Sequence, residues 1–175
     1  CENVKMVFIK RFAGLFVTFA VAAVFPKWSA AQIAVEPPVI SMAAAPQLSF
    51  NVVAQYPHDP SAFTEGLFWN DGNLYESTGL LGHSTLRKVD LKSGKVLLEH
   101  RLPDDVFGEG IAEMDGKLVQ LTWQKQHAYV YDFNNFNLTG NFNYQGEGWG
   151  LTTDVKSWIS SNGSATLVWR DAKTF

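Results

Sequence analysis

Two glutamates and a tryptophan occupy one repeated position in this chain. Aligned on Gly66, Gly110 and Gly150, which lie 44 and 40 residues apart, the preceding residues are Glu65, Glu109 and Trp149. The matching stretches are Phe63-Thr64-Glu65-Gly66-Leu67, Phe107-Gly108-Glu109-Gly110-Ile111 and Glu147-Gly148-Trp149-Gly150-Leu151. Two carboxylates and an indole at equivalent sites can line a pocket for a small polar ligand. A carboxyl group crowded by indoles and a second carboxylate is disfavoured in its ionised form, so its pKa rises towards neutrality. Glu109 in such a setting can shuttle protons, a contribution of about 10²–10⁴ in rate.

The elements that must hold these residues follow from the same repeat. The first unit continues with Gly72-Asn73-Leu74-Tyr75-Glu76-Ser77-Thr78, then Leu86–Asp90, then Gly94–Leu98. The second continues with Gly116–Trp123, Ala128–Asp132 and Gly140-Asn141-Phe142. The third has Trp158–Asn162 and Leu167–Asp171. Each unit reads as four short strands separated by Gly, Asn, Asp or Ser turns. No helical period is sustained after residue 47. Four-stranded units of about 40–45 residues predict an all-β fold of β-propeller blades.

Propeller geometry then locates the site. The first strand of each blade lies innermost, and the loop leading into it opens on the same face as the loop after the second strand. Gly79, Trp123 and Asn162 end the second strands by the same alignment. Trp123 is therefore expected beside Glu109 and Trp149 at one mouth of the central channel. The flanking glycines let backbone approach the axis closely. Trp69, Trp158 and Trp169 are expected to pack between blades. His58 and Asp59, before Pro60, are expected to shape a turn.

About three blades are present. Leu48–Tyr56 reads as a strand with no partner in its own unit, of the kind that closes a propeller ring. The third unit stops at Phe175 before its fourth strand, so the expectation is the first part of a longer protein.

Composition narrows the function. A chain of 175 residues, 46% hydrophobic and 14% aromatic, suits one globular domain with a real core. The net charge is −3 and no Lys/Arg run occurs, which argues against a nucleic-acid partner. Cys1 is the sole cysteine, so there is no disulfide framework and no thiolate metal site. The four histidines form no pair with metal-ligand spacing, which argues against a zinc enzyme. Residues 1–5 precede Met6. From there Lys10 and Arg11, the apolar run Phe12–Phe25 and Ser29-Ala30-Ala31 read as a signal peptide cleaved before Gln32. The run is too short to span a membrane. Residues 32–46, with Pro37-Pro38 and Pro46, read as a linker, and 47–175 as the propeller part. The expected setting is periplasmic or secreted, free of the membrane after cleavage, and monomeric at full length.

Several ordered motifs carry a family resemblance. Tyr56-Pro57-His58-Asp59-Pro60, Ala62–Leu67, Tyr75–Leu80, Phe107–Gly110 and Gly148–Leu151 resemble the plant and bacterial glutaminyl-peptide cyclotransferases, from about residue 48 to 175. The resemblance implies a five-bladed propeller. It implies conversion of an N-terminal glutamine of a peptide to pyroglutamate with release of ammonia, without a metal or other cofactor. It makes Glu109 the acid/base and Trp123 and Trp149 the walls of the substrate pocket. Glu65 stands where plant members carry Gln, and substrate-amine binding or a second proton carrier are both open to it. Two other readings stand beside this one. One is a calcium-dependent propeller hydrolase of the lactonase kind with Glu65 and Glu109 as ligands. The other is a non-catalytic propeller that binds peptides.

Overall fold

The computed structural model describes residues 47–175, and the folded unit is Ser49–Phe175. The expected signal peptide and linker lie outside the described residues. Eleven strands are formed among them, with no helix. β1 (Thr64–Asn70), β2 (Asn73–Thr78), β3 (Thr85–Asp90) and β4 (Val96–Arg101) make one antiparallel sheet in chain order. β5 (Gly108–Met114), β6 (Lys117–Thr122), β7 (His127–Asp132) and β8 (Leu138–Asn143) make the second. β9 (Leu151–Thr153), β10 (Ser157–Ser160) and β11 (Val168–Asp171) make the third. These are the three repeat units, folded as blades. β1 packs on β5 and β5 on β9, so the first strands form the inner wall.

Local chemistry explains the hairpins. Asp71-Gly72 and Asp115-Gly116 join the first two strands of blades 1 and 2, with φ of 44° and 78°, and of 54° and 75°. Two successive left-handed residues match the twist of a tight hairpin. The repeated aspartates cap the turns after the third strands. Asp90, Asp132 and Asp171 each accept a backbone N–H through Oδ1, from Ser93, Asn134 and Lys173 at 2.8, 2.9 and 2.8 Å.

Blade 2 is covered on both faces. Leu118 joins a cluster with Tyr75, Leu86 and Tyr131 towards blade 1. Val119 and Leu121 join another with Ala112, Val130 and Trp158 towards blade 3. Alternate residues of β6 thus serve different cores, and Leu118–Thr122 are all buried. Gln120 is the polar member of this strand. Its Nε2 donates to Ser77 Oγ at 2.7 Å across the blade boundary, and its Oε1 accepts from the Tyr131 hydroxyl at 3.2 Å. Gln120→Leu leaves both hydroxyls unpaired in a dry interior and is expected to cost about 1–2 kcal/mol in a denaturant titration of the full-length protein. An unchanged midpoint would refute this.

The outer elements lack neighbours among the described residues. Leu48–Tyr56 forms no ladder: no strand among the described residues pairs with it, and its side chains are exposed. An extended segment needs a neighbour to take its N–H and C=O groups, and none among the described residues is beside it. Of the three tryptophans expected between blades, Trp158 is fully buried, whereas Trp69 and Trp169 are exposed. Trp158 lies between blades 2 and 3, while nothing among the described residues covers the other two.

Candidate active site

Glu65 and Glu109 are displaced from regular strand pairing by β-bulges. In blade 1, Thr64 pairs with Thr78 and Gly66 with Ser77, leaving Glu65 as the extra residue. In blade 2, Gly108 pairs with Thr122 and Ile111 with Gln120, so Glu109 and Gly110 together face one residue. A bulge bends its strand and re-aims the extra side chain. The same backbone bond precedes each bulge: Gly79 N–H donates to Phe63 O at 2.7 Å, and Trp123 N–H donates to Phe107 O at 3.1 Å. Blade 3 begins differently. Trp149 N–H donates to Ser161 O at 3.1 Å, and Ser161 N–H donates to Gly150 O at 2.9 Å.

Close backbone contact joins the starts of the three blades. Gly110 N–H donates to Trp149 O at 2.7 Å, which sets Glu109 next to Trp149. A Cβ on Gly66 would stand 2.7 Å from Ile111 N. Gly79 leaves space for the Phe107 ring, which a Cβ there would strike.

The result is a cavity of about 360 Å³ lined by Phe63, Glu65, Phe107, Glu109, Trp123 and Trp149. All four residues expected at the site from the sequence meet there. Phe63, Phe107 and Trp123 form an edge-to-face row, with ring centroids 6.1 and 5.8 Å apart. Glu109 is only 9% exposed, while Trp123 and Trp149 are 38% and 46% exposed. The carboxyl therefore lies at the base and the indoles at the rim. Burial pushes the Glu109 carboxyl up to about 7, and the charges of Glu65 and Glu147 add to the rise. Burial also raises Glu65. Glu109 can thus both take and give a proton near neutral pH, and it has apolar walls around it.

Three participants were not singled out from the sequence: Phe63, Phe107 and Glu147. A signal existed, because all three stand three residues before the shared glycine of their blade. Asn162 caps its own turn by accepting from Ser164 N and Oγ at 3.2 and 2.7 Å, next to Gly163 under the Trp149 ring. His58 and Asp59 do shape the approach to blade 1. His58 Nε2 lies 2.8 Å from Glu76 Oε1, and Asp59 accepts from Arg87 at 2.9 Å. The buried Glu76 also accepts from Thr64 Oγ1 at 2.5 Å, directly before Glu65. No three His, Cys, Asp or Glu side chains among the described residues stand together as a metal-binding group.

Known proteins are similar in both sequence and fold. The chain is 42% identical over 125 residues to a glutaminyl-peptide cyclotransferase of Arabidopsis thaliana, covering 70% of this chain and 39% of that one. Its fold is similar to a glutaminyl cyclase of Myxococcus xanthus, with a TM-score of 0.65 and 32% identity over 71% of this chain and 53% of that one. A β-propeller domain from Myceliophteria thermophila shares the fold alone, with a TM-score of 0.50 and 10% identity over 67% of this chain and 38% of that one. The chain thus spans about two fifths of the curated relative and about half of the solved cyclase. The sequence profile for glutamine cyclotransferase matches residues 20–175, and the chain belongs to the glutamine cyclotransferase family.

Proposed function

We propose that the protein cyclises the N-terminal glutamine of peptides to pyroglutamate, with Glu109 as the proton carrier. One observation carries this: a buried carboxyl raised to about 7 stands in an aromatic cavity open at its rim. The reaction asks for little else. The α-amine attacks the amide carbon of its own side chain, a C–N bond forms, and the bond to the amide nitrogen breaks. The amine loses a proton and the departing nitrogen gains one, leaving as ammonia. Glu109 takes the first proton as base and returns it as acid. Because the attack is intramolecular, the walls mainly hold the ring-closing conformation. Phe63, Phe107, Trp123 and Trp149 surround the glutamine side chain and limit water. Glu65, also raised by burial, is placed to receive the amine or share the proton.

The rest of a peptide needs a way out. Phe107 and Trp123 also wall a second, open cavity of about 490 Å³ with Leu81, Asp105, Gln124 and Lys125. That continuity suits a chain end better than an isolated small molecule. Glu65 and Glu109 as a calcium pair would need several further oxygen ligands.

The test is ammonia release from a peptide with N-terminal glutamine by the full-length protein, with chelator present. Release at an undiminished rate is the expected result. Activity lost on chelation and restored by calcium would favour the hydrolase reading. Peptide binding with no ammonia would favour a binding propeller.

A further inference from the structure

Glu147 occupies the register at which blades 1 and 2 carry Phe63 and Phe107. Where those blades place an aromatic wall, blade 3 places a carboxylate. Both of its oxygens are engaged. Oε2 accepts from Trp149 Nε1 at 3.1 Å, and Oε1 accepts from Gln124 Nε2 at 3.1 Å. Beside it, Gly148 N–H donates to Trp123 O at 3.0 Å, tying the two loops through the main chain as well.

The indole it holds has few other supports. Trp149 is nearly half exposed, and its six-membered ring edge lies over Gly163, where a Cβ would come within 2.7 Å of the ring carbons. Gly163 has a φ of 77°, so glycine there both suits the backbone and leaves room for the ring. The Trp149 ring is therefore fixed at two places, its edge on Gly163 and its N–H on Glu147. A rim aromatic without such a partner would sample other rotamers.

We propose that Glu147 is a positioning residue of this site: its carboxylate, held by Gln124, clamps the indole of Trp149 as a pocket wall beside Glu109. This rests on, and deepens, the reading of the cavity as a glutamine site. A second consequence follows from its charge. The titratable groups facing Glu109 are Glu65 from β1, Glu147 from the loop leading into blade 3, and Tyr144 after β8. Hydrogen bonds from Trp149 and Gln124 hold the Glu147 carboxyl below its usual range, so it stays ionised while Glu109 titrates. Removing that charge favours the ionised form of Glu109.

Two substitutions in the full-length protein separate clamp from charge. Glu147→Gln keeps an acceptor for the Trp149 N–H and removes the charge. Glu147→Ala removes both. The first readout needs no catalysis: tryptophan fluorescence followed against pH, with Glu109→Gln identifying the transition that belongs to Glu109. In Glu147→Gln the midpoint is expected to fall by roughly half a pH unit with unchanged acrylamide quenching. In Glu147→Ala the midpoint falls and quenching rises about twofold as the Trp149 indole loosens. The second readout is kinetic. Glu147→Ala is expected to raise KM for the glutamine peptide about tenfold, the loss of one charge-assisted hydrogen bond, with a smaller fall in kcat. Glu147→Gln should keep KM within about twofold and shift the acidic limb of the pH profile down. Unchanged quenching and KM in Glu147→Ala would overturn the clamp. If quenching and midpoint respond but the parent releases no ammonia, the clamp stands and the glutamine reading falls. If the parent releases ammonia and neither variant responds, the clamp alone falls.

Discussion

Glu109→Gln in the full-length protein is expected to lower kcat for ammonia release by about 10²–10⁴ while KM changes only a few-fold. The amide has nearly the same shape and still fits under the aromatic row, but it cannot accept the amine proton. In the parent, kcat/KM should rise as pH passes through about 7, where the Glu109 carboxyl loses its proton, and this limb should vanish in the variant. The same substitution has a stability effect of opposite sense. The folded carboxyl titrates at about 7, against an ordinary value of 4.5. Between those values the folded chain keeps a proton that the unfolded chain has released. Stability from this group is thus fully present below pH 4.5 and is lost as pH rises to about 7. Ionising Glu109 in the folded protein costs about 2–3 kcal/mol at pH 8. Glu109→Gln should be more stable than the parent there by about that amount, and equal to it near pH 4. Identical melts at pH 8 would contradict the buried, raised carboxyl; a variant that keeps full turnover would remove Glu109 from the chemistry.

Gly110→Ala is expected to destabilise the protein by about 3 kcal/mol and to abolish activity with it. A Cβ at this position would collide with Trp149 O, lie 2.5 Å from Leu151 N and lie 2.8 Å from Gly150 C. All three are backbone atoms of the next blade, and none can turn aside as a side chain would. The Gly110 N–H bond to Trp149 O, 2.7 Å long, crosses the same gap and would break as the blades part. Glu109 and Trp149 are positioned by that bond, so the site loosens with the interface. Gly140→Ala is the control. It lies in β8 with nothing within 4 Å of an added Cβ, and a change within about 0.5 kcal/mol is expected. Equal denaturation midpoints for the two variants would show that the inner strands tolerate separation.

Much of the architecture was legible because blades repeat. A period in glycines, aspartates and strand-length apolar runs is a one-dimensional record of a unit whose faces are buried by its neighbours. Hence Asp90, Asp132 and Asp171 marked the strand ends, and Gly72 and Gly116 marked the turns into the second strands. Alignment on one glycine was also enough to bring Glu65, Glu109, Trp123 and Trp149 to one cavity, since equivalent positions of adjacent blades share one mouth. What the alignment did not carry was the departure from equivalence. Trp69, Trp158 and Trp169 look alike in sequence, yet one is buried and two are exposed, because burial depends on which neighbour covers each face. The bulges at Glu65 and Glu109 arise from pairing with a distant strand and leave no local mark beyond their glycines. Glu147 sat in plain register with Phe63 and Phe107 and two residues before Trp149, but Gln124 reaches it only where two loops from different blades close together. Residue types and their period determined the blade, its turns and the chemistry available at its mouth. The burial that raises Glu109 and the Gln124 bond that holds Glu147 were decided by tertiary structure, because both depend on groups brought into contact only when one blade packs on the next.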